Sequence, residues 1–361
     1  MKIVPLFGSA RAGLALLASL IASLRVSLLA SLLTLLLTPL PARAQAPRCE
    51  VDQKVVFAGL DWDSNAFHTA VAQRIVRDGF GCAVDAIPGS TIPLINGMAR
   101  GDIQIIMEVW KANTPPSWTQ GVAAGKLVEV GVNFPDATQG WFVPRYLVQG
   151  TDAPAKGLKS VRDLPRFKTL FADPEEKTKG RFLNCPAGWQ CELFNSKKLA
   201  AYGLEADFTN FRPGTGAALD AAIVSAVKRQ RPVLFYYWGP TWLLGQLNKD
   251  LVMLEEPTFD EATWNTLTEA KDPKDVKAAT AYPVVQVVVG ATRAFVDKAP
   301  GIHAFLKNYR TTGQLVSEAL AYMQESKASP DDAARQFLKT REDVWLAWVP
   351  PAVAARVKAK L

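Results

Sequence analysis

Between Val55 and Met107 the chain alternates short apolar runs with helical periodicity, and it does so again further on. This rhythm constrains the fold more than any other feature. Val55–Ala58 reads as a strand. Ser64 stands where it would cap a helix whose inner face is Phe67, Val71 and Ile75, ending near Gly79. Cys82–Ile87 is the next strand, a short helix follows to Arg100, and after Gly101-Asp102 comes the strand Ile103–Met107. Strand, helix, strand, helix, strand implies a parallel sheet with right-handed crossovers. The pattern restarts with helices at Leu193–Tyr202 and Gly216–Lys228 and an apolar strand at Val233–Tyr237. The last third reads as helices at Ile302–Tyr309, Gln314–Glu325 and Asp331–Trp348. The expected fold class is therefore α/β, in two lobes. Ligands of such folds sit in a cleft beyond the carboxyl ends of strands.

The residues expected at those ends are unusual. After the first strand comes Asp61-Trp62-Asp63-Ser64-Asn65. After the third comes Glu108-Val109-Trp110, running on to Asn113-Thr114. After Val233–Tyr237 comes Trp238-Gly239-Pro240-Thr241-Trp242. Gly140-Trp141-Phe142 lies between the lobes, and Trp189 lies ahead of the helix at 193. A tryptophan in a loop exposes apolar area unless something covers it. Several converging on a cleft make an electron-rich box that attracts a cation, each desolvated contact contributing about 0.5–2 kcal/mol. A quaternary ammonium suits such a box, because its methyl groups donate no ordinary hydrogen bonds. A lone tryptophan is more often core. Of the ten in the chain, Trp118, Trp264, Trp345 and Trp348 are assigned to structure and Trp242 to packing. Trp62, Trp110, Trp141, Trp189 and Trp238 remain as cleft residues.

The four cysteines are Cys49, Cys82, Cys185 and Cys191. An even number in an exported protein suggests disulfides, and three pairings are open. Cys49 and Cys82 open neighbouring strands, and Cys185 and Cys191 close a short loop, so Cys49–Cys82 and Cys185–Cys191 are favoured. The spacings are not a zinc pattern, and His68 and His303 are the only histidines. No metal and no cofactor is expected. The Cys185–Cys191 loop runs straight into a helix, whose first backbone N–H groups lack internal partners and carry the positive end of its dipole. Trp189 beside the amides of Gln190 and Cys191 could hold both ends of a zwitterion.

The compartment follows from the first residues. Met1–Ala44 carries Lys2, Arg11, Arg25 and Arg43 and no acid, and Val26–Leu40 is almost all Leu, Ala, Val, Ser and Thr. Ala42-Arg43-Ala44 forms an Ala-x-Ala site. These features read as a secretory signal peptide over 1–44, cut before Gln45. Arg25 and Pro39 limit the apolar run below the roughly 20 residues of a membrane span. The residues before Cys49 do not resemble a lipoprotein box, so a free periplasmic protein is expected. Removing the leader's cations brings the formal charge of +7 down to about +3, too little and too scattered to argue for nucleic acid.

An exported enzyme is a weaker reading. No Gly-x-Ser-x-Gly, His-Glu-x-x-His or Gly-rich phosphate loop occurs. Asp61, Asp63 and Glu108 lie near strand ends and could act as acid and base, but they serve as readily to cap helices, bond loop amides or add negative potential near a cation. A binder of amino acids would need a carboxylate partner for a primary ammonium. Five aromatic residues and no basic clamp argue against that.

Gly101-Asp102-Ile103 running into Glu108-Val109-Trp110, the Cys-x-x-Gly-Trp-x-Cys-Glu block at 185–192 and Phe235-Tyr236-Tyr237-Trp238-Gly239-Pro240-Thr241-Trp242 together resemble the glycine betaine/proline betaine-binding proteins of ABC importers. The resemblance spans nearly all of the chain beyond the leader. It implies a two-lobed, type II periplasmic binding protein that closes on its ligand like a hinge. The family's cage tryptophans fall on Trp110, Trp189 and Trp238, and its carboxylate-binding amides on Gln190 and Cys191. Choline-binding relatives carry aromatics near Trp62 and Trp141. Where some betaine binders have a histidine four residues after the first cage tryptophan, this chain has Thr114, which can donate one hydrogen bond. Lobe I is expected over 46–144 plus about 245–361, lobe II over 145–244, with a hinge near Gly140–Tyr146 and a return somewhere in 240–285. The expected partners are a quaternary-ammonium solute and an inner-membrane ABC permease, and the protein is expected to be a monomer. A choline or carnitine binder, or a ligand-sensing subunit, would share the cage.

Overall fold

The structure is a computed structural model and describes residues 48–361. The leader expected over 1–44 lies outside the described residues. Strand β1 (Val55–Leu60) pairs in parallel with β2 (Val84–Gly89) on one side and β3 (Ile105–Trp110) on the other. Helices α1 (Asp63–Arg74) and α2 (Thr91–Arg100) make the crossovers. Alternation along the strands feeds two cores. Val55, Phe57, Ile105 and Met107 pack on α1 and the C-terminal helices, and Ala58, Leu60, Ile106 and Val109 pack on α2 and α3 (Pro116–Ala123). Gly101, at φ 91°, ends α2 in the left-handed conformation that favours glycine.

Each of these strands runs two or three residues past its expected end. β3 continues to Trp110 because β9 (Val285–Thr292) pairs with it antiparallel out to Val287. The helix start also differs from expectation. Trp62, not Ser64, occupies the N-cap, and Ser64 is buried in the first turn of α1. No side chain caps this helix; Asp63 in the first turn complements its dipole instead.

The sequence does not announce β4 (Leu127–Pro144), an 18-residue strand. It pairs antiparallel with β9 as far as Ala137, through three register shifts, and from Thr138 onward with β7 (Leu234–Gly239). One strand thus belongs to two sheets, and the change of partner falls at Ala137/Thr138, three residues before Gly140. In the second sheet β5 (Gly180–Leu183) lies parallel to β6 (Phe208–Phe211) and to β7, and β8 (Leu251–Met253) pairs with the end of β4. Helices α4 (Gln190–Ala201) and α5 (Gly216–Lys228) connect these strands. The chain returns to the first sheet between β8 and β9.

The C-terminal helices α6 (Pro300–Asn308), α7 (Gly313–Ser326), α8 (Pro330–Thr340) and α9 (Pro351–Lys358) cover the first sheet. The single helix expected over Asp331–Trp348 is interrupted after Thr340. There the chain turns back so that the Trp345 indole donates to the Leu338 carbonyl at 2.8 Å, while Trp348 lies on Tyr309 with ring centres 4.3 Å apart. Both tryptophans are buried, as are Trp118 and Trp264. Disulfides join Cys49 to Cys82 and Cys185 to Cys191, with Cα separations of 4.7 and 6.1 Å. Among the described residues, no helix is long and apolar enough to cross a membrane.

Candidate functional site

The carboxyl ends of β1 and β3 deliver Trp62 and Trp110 to one side of a cavity. The second sheet delivers the other side. Trp189 comes from the loop before α4, and Trp238 from the end of β7. The rings meet edge to face. Trp62 and Trp189 have centroids 5.1 Å apart at 66°, and Trp189 and Trp238 5.2 Å apart at 76°. Tyr237 stacks on Trp238 at 4.5 Å and holds it from its neighbouring position on β7.

Indole N–H groups fix three of the rings. Trp62 and Trp110 both donate to Oε2 of Glu108, at 2.8 and 3.0 Å. Trp189 donates to Oδ1 of Asp61 at 2.7 Å, reaching across the cavity to the other side. A backbone bond makes the same crossing, from Ile92 N–H to the Gly188 carbonyl at 3.3 Å. Gly188 has φ 89°, and a Cβ there would fall 2.5 Å from Ser90 Oγ. Only glycine lets this loop lie so close to the start of α2. The two sides of the cleft are therefore closed against each other.

The other end of the cavity is built from backbone. Helix α4 starts three residues earlier than the sequence indicated, which places Gln190 and Cys191 in its first turn, lining the cavity. Trp189 in the N-cap supplies no side-chain oxygen; Glu192 N–H bonds the Trp189 carbonyl at 3.2 Å, and the amides of Gln190 and Cys191 have no protein acceptor within the helix or at its cap. Gln190 Oε1 is buried without a hydrogen-bond partner. Asn184 holds this loop from beneath: it accepts from Cys185 N–H at 2.6 Å and donates to the Glu192 carbonyl at 3.1 Å. Thr114 lines the same cavity.

Trp141 is a correction. It is fully buried beneath α4, its indole donating to Asn195 Oδ1 at 2.8 Å and its ring lying 4.2 Å from that of Phe182. Along β4 it stands two residues, roughly 7 Å, beyond the position that reaches the cavity. That position is Gln139, which accepts from Asn113 at 2.5 Å and from the Tyr236 hydroxyl at 2.6 Å. Gln139, Asn113 and Tyr236 all line the cavity and were not singled out in the sequence, because Tyr236 reads as part of an apolar strand and Gln139 as part of a linker. Glu108 did carry a signal: two residues before Trp110 on one strand, it shares that residue's face.

Among the described residues no lysine or arginine lines this cavity, and none lines the hollow behind Trp62 and Trp238, where Asp61, Asp63 and Asp220 gather. Burial pushes the Glu108 carboxyl above its ordinary range, against the hydrogen bonds it accepts. His68, with Nε2 3.9 Å from Glu108, is lowered by burial to about 3 and is neutral. Asp220 is pushed up to about 7 by burial, against a 2.7 Å bond from the Tyr237 hydroxyl. The surroundings are aromatic and acidic at one end and bear free N–H donors at the other. Among the described residues there is no group of three or more His, Cys, Asp or Glu able to hold a metal ion.

Residues 53–340 match the family described as the substrate binding domain of ABC-type glycine betaine transport systems. The chain is 28% identical over 269 residues to the glycine betaine/proline betaine-binding periplasmic protein of Escherichia coli (strain K12), covering 72% of this chain and 78% of that protein. Among solved structures, a glycine betaine, L-proline-binding protein of an ABC transporter from Borrelia burgdorferi superposes with a TM-score of 0.68 at 16% identity, over 84% of this chain and 100% of the other. The lactococcal OpuAC protein, closed on glycine betaine, superposes with a TM-score of 0.62 at 18% identity, over 83% of this chain and 100% of the other. These structures share the two-lobed, type II fold.

Proposed function

The chain belongs to the substrate-binding domain family of ABC-type glycine betaine transport systems, and from that premise we propose how it works: Trp62, Trp110, Trp189 and Trp238 cage the trimethylammonium group of glycine betaine or a close quaternary-ammonium relative. The amides of Gln190 and Cys191 receive its carboxylate at the positive end of α4, with the Thr114 hydroxyl as a further donor. The observation that carries this reading is the convergence of four tryptophans from both sides of a cleft with no cationic side chain among them. Each desolvated ring contact contributes about 0.5–2 kcal/mol to holding a cation, and no ordinary donor on the ligand is required.

In this reading the sheet β2-β1-β3-β9 with the C-terminal helices is lobe I, and the bulk of residues 145–244 is lobe II. The lobes rock about the crossing strands and close when Trp189 meets Asp61. The protein acts in the periplasm after its leader is removed, as a monomer without cofactor, and hands its ligand to an ABC permease. It carries out no chemistry on the ligand.

Calorimetric titration of the protein from Gln45, unfolded and refolded to strip carried ligand, tests this with glycine betaine, proline betaine and choline. Saturable binding with glycine betaine well ahead of choline is expected. Choline ahead would keep the cage and discard the carboxylate site. No binding of any of the three would overturn the assignment.

A further inference from the structure

Among the described residues Glu108 is the one fully buried acid at the cage, and it lines the cavity. One of its oxygens accepts both indole N–H groups, from Trp62 and Trp110. The other is left outside good hydrogen-bond geometry, with the neutral Ser64 hydroxyl as the donor beside it. Among the described residues its only ion-pair neighbour is His68 Nε2 at 3.9 Å. That imidazole is neutral, and its Nδ1 is engaged with the Tyr309 hydroxyl at 2.8 Å. Asp61 and Asp63, on the turn beside Trp62, add negative rather than positive charge nearby. A carboxylate removed from water without a cation is strongly disfavoured, so a buried acid with none in reach is anomalous unless the cation arrives from outside.

We infer that Glu108 is the counter-charge for the ligand's cation, a specificity-determining residue that orients two cage indoles while its own charge selects permanent cations over neutral molecules of the same shape. The inference deepens the function proposed above and rests on it. Aromatic quadrupoles alone favour a cation but also pack well against a neutral apolar group of equal size. A formal charge at the cavity wall separates the two, because it attracts one and gains nothing from the other. Burial raises the carboxyl's affinity for its proton, and a permanent cation beside it lowers that affinity.

Two ligands and one substitution test it. Tert-butylacetate reproduces glycine betaine with a neutral tert-butyl group in place of trimethylammonium. Glu108→Gln keeps an oxygen to accept the indole N–H groups and removes the charge. Wild type is expected to prefer glycine betaine strongly. In E108Q, betaine affinity should fall by about tenfold or more while tert-butylacetate binding holds or improves, so that the preference collapses. An unchanged preference, or an equal loss for both ligands, would overturn the inference and leave Glu108 a structural support. Failure of wild type to bind betaine would instead overturn the proposed function, and this inference with it.

Discussion

The indole N–H of Trp189 reaches 2.7 Å across the cleft to Oδ1 of Asp61, so a ring on one side is held by a carboxylate on the other. Parting the two sides would break this bond, so we propose that it acts as a latch as well as a support. Asp61→Ala should weaken ligand binding about fivefold, the worth of one partly exposed charge-assisted bond near 1 kcal/mol, mostly by faster release. Stopped-flow dissociation rates check this; an unchanged off-rate would remove the latch.

Trp189→Ala and Trp238→Ala should each lower affinity by about tenfold or more, since each removes a ring contact of 0.5–2 kcal/mol and the shape of its neighbour's site. Far-ultraviolet circular dichroism should be unchanged. Betaine titrations that match wild type in both variants would dismiss the cage.

Trp141 should behave oppositely. It is fully buried against Phe182 and bonded to Asn195, so Trp141→Ala should cost about 3–5 kcal/mol of stability. Trp141→Phe should lose less, and its ligand affinity should stay within about twofold of wild type. Denaturant unfolding and calorimetry separate the two effects.

Asp220 carries a folded-state pKa of about 7, raised above its ordinary value by burial. For a carboxyl raised on folding, the native state binds the extra proton between the unfolded and folded pKa values, so its contribution to stability falls as pH rises through that window. Asp220→Asn, which mimics the protonated form, should match wild type only at or below the unfolded value of 3.8 and exceed it by a widening margin above, a few degrees in Tm near pH ~8. Thermal melts of the two proteins across that range decide it; a gain independent of pH would assign the effect to something other than titration.

Replacing Cys185 and Cys191 by serine opens a loop of only a few residues, so the entropic loss should be small. The sharper effect should fall on the first amides of α4, which the loop presents. Betaine affinity should drop several-fold, and choline, lacking a carboxylate, should lose less. Paired titrations of the double variant test this, and equal losses would argue that the loop serves the cage rather than the carboxylate.

Much of the cavity's lining was legible because it is built at strand ends. Trp62, Trp110 and Trp238 follow apolar runs whose strand character is plain, and Trp189 precedes a helix bracketed by cysteines. Trp141 misled because β4 is hidden. Gly131, Asn133, Pro135 and Asp136 interrupt its pattern, and it is a strand because β9 and β7 supply partners across three register shifts. With β4 unseen, Trp141 read as a linker residue facing a cleft. Glu108 was visible as an acid near a strand end, but its task depends on Trp62, 46 positions away in sequence. No local pattern records such a meeting.

The continuity of β4 through both sheets bears on how this protein could be divided. Cutting the chain at Ala137/Thr138 would part β9 from both of its partners, β3 and the first half of β4, and leave those edges bare, the surface on which unrelated chains stick together. Neither half should survive as a separately expressed fragment, and hybrids that exchange one half with a relative should fold only when both ends of that strand travel with their own partners. The molecule is inherited, and must be engineered, as one piece.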